Sequence, residues 1–376
     1  MIKAIPKILH LHSTFAAGGK EVRAVGLMNA FGRELEHTIV SGQPDQLAAR
    51  ALIAMDVKAD FPEDFPSLTG LPTPGRLVAI AKAMKPYDLV LTYNWGAMDA
   101  VLAHTVFAGA LGLPPLIHHE DGFNEDEAEG LKPRRNWMRR IALGKTHALV
   151  VPSRVLENIA LSVWKRPKSQ VQRIPNGIDT LAFARKAKPS ALPLAKGKDE
   201  VWIGTLAGLR AVKQLPTLVE ACAKLPQNWR LIILGEGPER AAIEEKADAL
   251  GVESRVHLPG AFKDPSSVIG LFDIFALSSK SEQFPLSVVE AMAAGLPVVA
   301  PDVGDVKGIV SDANRPFIVP AGGPGPLSMS LEDFAGNKAL RREIGEANRQ
   351  KAHSHFDQKT MIEAYRALYW GAMGRT

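Results

Sequence analysis

Two glutamates, Glu282 and Glu290, stand with seven residues between them in SEQFPLSVVEAMAAGLPVVA, residues 281–300. The spacing predicts a helix that starts near Ser287 and closes at Gly295, so Ser287 and Glu290 have the separation of a capping box. Capping is the ordinary reason for Glu290, and loop exposure is the ordinary one for Glu282. A helix start also presents free N–H groups and the positive end of its dipole, an arrangement that suits phosphate. Carboxylates beside it repel phosphate and need neutral donors instead; a carboxylate accepts two hydrogen bonds from a vicinal diol. A nucleotide sugar carries diols on both sides of its diphosphate, which matches that order of groups.

Other loops hold compatible chemistry. Arg210 and Lys213, three apart in LAGLRAVKQ, can place two positive charges on a leaving diphosphate; on their own a solvated helix entry describes them better. Gly18 and Gly19 in FAAGGKE permit close approach of backbone to ligand, or form a simple tight turn. Gly235 and Gly237 in LGEGPER begin a glycine loop, but Arg240 fills the third small position of a dinucleotide fingerprint, which argues against a nicotinamide enzyme. No nucleophile constellation and no metal-ligand spacing stands out, and no metal or cofactor is expected.

These loops need elements to hold them. Short Val/Ile/Leu-rich runs alternate with helical stretches: KILHLH with 20–35, YDLVLT with 95–111, PPLIHH with 133–143, HALVVP with 154–164. The pattern restarts with VWIGTLAG, WRLIILGEG, SRVHL, LFDIFALSS and LPVVAP. Alternation of this kind predicts α/β architecture with two doubly wound, Rossmann-like parallel-sheet domains. The boundary falls near IPNGID (174–179), followed by the Lys- and Pro-rich, aperiodic 185–200. Residues 1–180 then form the first domain and 181–356 the second, with the aromatic-bearing helical tail 357–376 expected to pack on the first. Ligands of open α/β sheets sit off the carboxyl ends of the strands, so two such domains facing across a cleft would put binding loops on both walls.

The totals agree with an ordinary globular chain of 376 residues, 46% hydrophobic and 23% charged. One cysteine, Cys222, excludes an internal disulfide and favours the cytoplasm. No secretory signal is read at the start, and no stretch reads as a membrane span. The net charge of +5 is unevenly spread: residues 132–173 hold eleven basic residues against one acid, Glu157, and 120–129 hold six acids. The basic segment LKPRRNWMRRIALGK also carries Trp137, so residues 132–145 suit an anionic membrane surface or, equally, a helix with solvated charges. It lacks a nucleic-acid reading motif, and no nucleic-acid partner is expected.

Taken in order, FAAGGKE, IPNGID, LAGLRAVKQ, LGEGPER and SEQFPLSVVEAMAAGLPVV resemble the motifs of retaining glycosyltransferases of the GT-B fold, family 4 of glycosyltransferases (group 1). The resemblance spans residues 10 to 310. It implies a retaining, metal-independent transfer from a nucleotide-diphosphate sugar to a hydroxyl of a glycan or lipid-linked acceptor, in the cytoplasm or on the inner face of its membrane. It further implies that Glu282 holds the donor sugar, Glu290 the ribose, Arg210 and Lys213 the diphosphate. The amides around Phe284 and Leu286 would then hold sugar or phosphate; Gly18, Gly19, Gly235 and Gly237 would line the donor. A family histidine near the reacting sugar corresponds to His118 or His119 when aligned on the strand PPLIHH, and to Asp121 when aligned on Gly122; His119 and Asp121 are expected to line the reaction centre. An epimerase or phosphorylase of the same fold, or a non-catalytic nucleotide-sugar binder, are the alternatives.

Overall fold

A computed structural model describes residues 4–123, 127, 130–334 and 336–375. It divides into two compact units, Met1–Pro175 with Met361–Thr376, and Asn176–Thr360.

The first unit runs β1 (Lys7–His12), α1 (Gly19–Phe31), β2 (Glu36–Ser41), β3 (Lys58–Asp60), α2 (Pro74–Met84), β4 (Leu89–Tyr93), α3 (Met98–Leu111), β5 (Leu116–His119), α4 (Pro133–Ala142), β6 (Ala148–Val151), α5 (Arg154–Ser162) and β7 (Val171–Arg173). Its strands form one sheet, β3-β2-β1-β4-β5-β6-β7, paired in parallel throughout. Strands β4, β5 and β6 are buried along their whole length, as near-continuous apolar strands covered on both faces must be.

The second unit runs α6 (Thr180–Ala184), β8 (Val201–Leu206), α7 (Leu215–Ala223), β9 (Trp229–Leu234), α8 (Arg240–Ala249), β10 (Val256–Gly260), β11 (Ile274–Ala276), α9 (Leu286–Ala293), β12 (Val298–Pro301), α10 (Val306–Ile309), β13 (Ile318–Val319), α11 (Pro324–Glu332) and α12 (Lys338–His355). The sheet order is β10-β9-β8-β11-β12-β13, again parallel.

Helix α13 (Gln358–Ala372) closes the chain. Met361, Tyr365 and Tyr369 lie four apart on one stripe and are buried in the same core as Phe31, Leu91 and Tyr93 of the first unit. Arg366 pairs with Glu34 at 2.8 Å and lies over Trp370, fastening the exposed side.

Strand order reverses between β1 and β4 in the first sheet and between β8 and β11 in the second. A crevice opens at such a switch point because the connections on either side leave toward opposite faces. The loops after β1, β4 and β5, and those after β8 and β11, are therefore where each unit can hold a ligand.

One local expectation changes. The helix after Glu282 begins at Leu286 with Pro285 as its cap residue, and no side chain caps it. Ser287 lies inside the first turn and Glu290 in the second, so the two do not form a capping box. Pro285 has its φ fixed and no side-chain oxygen to offer, and its carbonyl takes the Val288 amide at 3.1 Å. Gly295, at φ 82° just past the end, closes it as expected.

Candidate active site

In the second unit, the chain leaves β8 into the loop 207–214. Arg210 is extended, Ala211–Lys213 make a single tight turn, and Gln214 takes a left-handed conformation before α7. This loop is bolted to the one after β9: the Leu209 amide donates to the Glu236 carbonyl and the Glu239 amide to the Leu209 carbonyl, both at 3.0 Å. Gly235 and Gly237 are required here by the approach of the two chains. A Cβ at Gly235 would lie 1.8 Å from the Ala207 oxygen and one at Gly237 2.5 Å from the Leu209 oxygen, and both have positive φ, 154° and 156°.

The loop after β11 closes on the same place. The Ser278 hydroxyl donates to the Lys213 carbonyl at 2.8 Å, and the Lys280 amide to the Val212 carbonyl at 2.8 Å. Lys213 Nζ thereby meets Glu282 Oε1 at 2.5 Å, and Ser279 Oγ donates to the same oxygen at 2.7 Å. The two side chains keep 16% and 12% of their surface, so the pair is sheltered but reachable. Arg210 is exposed, and its guanidinium has no protein partner among the described residues. Behind them Gly304, at φ 56°, lets the backbone of Glu282 pass; a Cβ there would lie 2.1 Å from the Glu282 oxygen. Sequence reasoning passed over Gly304, although a glycine just beyond the strand end of β12 was a visible signal.

Glu290 projects from the second turn of α9. Burial alone pushes its carboxyl up to about 7, and its side chain has no hydrogen-bond partner among the described residues. Phe284 is buried edge-on against Phe356 with ring centroids 5.7 Å apart, so its side chain anchors the loop. Leu286 is half-buried against the same core.

In the first unit, the three candidates at the end of β5 fare differently. His118 points its Nδ1 at the Thr92 hydroxyl, 2.8 Å away, and is wholly buried. His119 is also buried: Nδ1 lies 3.2 Å from the Thr92 carbonyl and Nε2 3.0 Å from the Tyr369 hydroxyl. A carbonyl can only accept, so the proton sits on Nδ1 and Tyr369 donates to Nε2. Burial, with the nearby Arg23 charge, pulls the imidazole down to about 3, which keeps it neutral. His119 therefore has no free nitrogen to offer, and the expectation that it lines the reaction centre meets a ring fully engaged inside the core. Nothing in the sequence near His119 signalled Tyr369, 250 residues away.

Asp121 alone of the three reaches the surface, at 13% side-chain exposure. Arg23 grips it with both terminal nitrogens, the Nη2–Oδ2 bond at 2.8 Å, and the Asp121 amide donates to Asn94 Oδ1 at 2.8 Å. Burial acts to raise the Asp121 carboxyl, but the Arg23 charge and hydrogen bonds outweigh it and hold it below the ordinary value. Gly18 is the cap residue of α1 with extended backbone, and Gly19 begins the helix with nothing within 4 Å of where its Cβ would be.

The basic helix α4 is only partly a solvated face. Arg139 is wholly buried, donating through Nε to Glu120 at 3.2 Å and through both terminal nitrogens to Glu127 at 3.2 Å, with Trp95, Phe123 and Trp164 around its guanidinium. Arg135 reaches Glu127 at 2.9 Å. The acidic stretch is thus partly the counter-charge of the basic one; Glu125, Asp126 and Glu129 lie outside the described residues. On the other side of α4, Trp137 is 64% and Ile141 40% exposed, alongside exposed Lys132, Arg134 and Arg140. No described helix is long and apolar enough to cross a membrane, and no cluster of three or more metal-ligating side chains occurs among the described residues.

Two parallel, doubly wound units with charged loops at their switch points define a GT-B glycosyltransferase fold, and the comparisons agree. Residues 192–351 match the family Glycosyl transferases group 1, and residues 17–181 match Glycosyltransferase Family 4. The chain belongs to this family of glycosyltransferases. It is similar to N-acetyl-alpha-D-glucosaminyl L-malate synthase of Bacillus anthracis, 23% identical over 280 residues, 74% of this chain and 72% of that one. It is also similar to the lipopolysaccharide core biosynthesis glycosyltransferase LpsE of Rhizobium meliloti, 28% identical over 42% of this chain and 46% of that one. Among solved structures, Anabaena HepE in complex with UDP superposes with a TM-score of 0.82 at 19% identity, over 97% of this chain and all (100%) of that one. Sucrose-phosphate synthase of Thermosynechococcus elongatus gives 0.78 at 19% identity, over 98% and 99%.

Proposed function

We propose that the protein transfers a sugar from a UDP-sugar to a hydroxyl of a lipid-linked glycan, with retention at the anomeric carbon, on the cytoplasmic side of a membrane. The second unit holds the donor. The observation that carries this is the Lys213–Glu282 pair at the β8/β11 switch point, with an exposed Arg210 on the same loop as Lys213 and, on the helix that follows Glu282, a partly buried Glu290 without a hydrogen-bond partner among the described residues. Lys213 has three N–H donors, so it can keep Glu282 and still reach a phosphate oxygen. Glu282 then accepts from the sugar hydroxyls and Glu290 from the ribose diol, while Arg210 completes the positive field. The relative and the solved structure that name a glucosaminyl product and bound UDP support UDP as the carrier.

In the reaction the bond from the anomeric carbon to the diphosphate breaks, its electron pair leaving with UDP, and the acceptor oxygen bonds to the same face. The acceptor proton passes to the departing phosphate oxygen. Such a step needs positioning and charge stabilisation rather than a strong protein base. In the first unit we assign Asp121 to the acceptor side and His119 to positioning, since its ring braces β5 and α13. The exposed Trp137 and Ile141 with their flanking cations suit an anionic bilayer, and the lipopolysaccharide glycosyltransferase LpsE among the relatives supports a lipid-linked acceptor.

Calorimetric titration with UDP-, GDP- and ADP-sugars, followed by UDP release from the sugar that binds, tests the reading. UDP-sugars are expected to bind, and Lys213→Ala to lower turnover by about 10²–10³-fold, the loss typical of one lost charge stabiliser. A protein that binds no nucleotide sugar, or a Lys213→Ala variant with unchanged turnover, refutes it.

A further inference from the structure

A second charged constellation lies at the other switch point, and the donor chemistry does not use it. Glu21 is the third residue of α1 and only 3% exposed. Its Oε1 is committed to the Lys20 ammonium and the Thr14 hydroxyl, the latter at 3.3 Å. Its Oε2 has no partner among the described residues. A glutamate at this helix position commonly reaches back to the cap amide, but the Gly18 amide donates to the Ala16 carbonyl at 2.8 Å. The carboxylate therefore does not serve as that cap.

The glycine pair explains what keeps Oε2 open. A Cβ on Gly18 would stand 2.8 Å from it, while one on Gly19 would meet nothing within 4 Å. Around this opening, His12 ends β1 wholly buried, stacked on Tyr93 at 3.9 Å, with both ring nitrogens unpartnered. Burial first, then the Lys20 charge, keeps that imidazole neutral, so it offers one N–H and one lone pair. Asp121 also lies within reach of the Lys20 charge. A carboxylate oxygen left without a protein donor on a side chain only 3% exposed is a reason to look for a ligand here.

Resting on the glycosyltransferase reading, we propose that Glu21 Oε2 accepts a hydrogen bond from a hydroxyl of the acceptor, making this a subsite for an uncharged sugar rather than for a phosphate. The two cations are each already matched by a carboxylate, Lys20 by Glu21 and Arg23 by Asp121. The positive end of α1, which would otherwise attract a phosphate, already faces the Glu21 charge. A hydroxyl donating to Oε2 adds no charge to this balance.

The test uses the full chain with UDP-glucose or whichever UDP-sugar binds. UDP release is followed with methyl α-glucoside, methyl α-galactoside, methyl N-acetylglucosaminide and octyl glucoside as neutral probes, and glucose 6-phosphate as the charged one. At least one neutral glycoside is expected to accelerate release. Glu21→Gln and Gly18→Ala should each raise its KM by about tenfold, the weight of one charge-assisted hydrogen bond, and Glu21→Gln should leave the donor Kd unchanged. Gly18→Ala puts a Cβ 2.8 Å from Oε2, so the carboxylate must turn away from its place; a purely structural Glu21 predicts at most a lowered melting transition with a wild-type KM. Wild-type KM in Gly18→Ala, preference for glucose 6-phosphate, or no response to any neutral glycoside in a protein that binds donor would each overturn the proposal. Failure to bind any UDP-sugar would instead overturn the donor reading.

Discussion

Glu290 makes the donor site pH-sensitive in a direction that can be worked out. Its carboxyl is raised by burial from the ordinary 4.5 to about 7, with no compensating partner among the described residues. If the ribose diol supplies two hydrogen bonds to the carboxylate, the bound form favours the charged state, and binding returns the pKa toward its ordinary value. The linkage then has one sign: the free site holds the extra proton, so affinity rises with pH through about 7 and falls below it. With a free value of about 7 and a bound value back in the ordinary carboxylate range, Kd weakens by about tenfold between about pH 8 and about pH 6, roughly 1.4 kcal/mol. At about pH 7 binding releases roughly half a proton. The assay is titration of UDP-glucose, whose diphosphate does not titrate in this range, in two buffers of different ionisation enthalpy. Glu290→Gln should flatten the profile and abolish the proton release. A wild-type Kd independent of pH, or the same slope in Glu290→Gln, would show that the carboxylate does not bind the nucleotide.

Three further outcomes follow from the packing and the surface. Arg139→Met leaves Glu120 without its buried cation and Glu127 with Arg135, and is expected to cost about 3–5 kcal/mol, read as a lowered melting transition of the full chain. Gly235→Ala forces a Cβ to within 1.8 Å of the Ala207 oxygen, and should disturb the Arg210–Lys213 loop enough to weaken donor binding; wild-type affinity would mean the loop shifts freely. Co-sedimentation with vesicles rich in anionic phospholipid should fall with salt and with Trp137→Ala. At about 1 kcal/mol for each exposed cation near the surface, neutral vesicles should bind far more weakly, and equal binding to both would dismiss the membrane assignment.

Much of the architecture was legible in linear order. Apolar runs such as YDLVLT and HALVVP are buried on both sheet faces, so their hydrophobicity survives every detail of packing. Short or polar elements were not: β3 and β13 have three and two residues, and α12 carries few apolar side chains because it docks through Gly345 against the Gly295 backbone. The glutamate spacing, Arg210, Lys213 and the glycine loops were visible because each is a local pattern on one loop.

What tertiary structure decided was the company each side chain keeps. Residues 69 apart become the Lys213–Glu282 pair, 98 apart the Arg23–Asp121 pair, and 250 apart the Tyr369–His119 bond. Periodicity along a chain records which faces are buried, and says nothing about which distant loops share a switch point. The choice among His118, His119 and Asp121 was undecidable from residue types alone; the burial of both imidazoles and the surface left to Asp121 exist only once the chain has folded and Tyr369 of α13 has met His119 of β5. The sequence by itself determined two doubly wound units and the chemistry their loops could carry, because hydrophobic alternation and loop composition are local. Pairing, exposure and protonation waited on the fold, since each depends on distances the chain sets only when it closes.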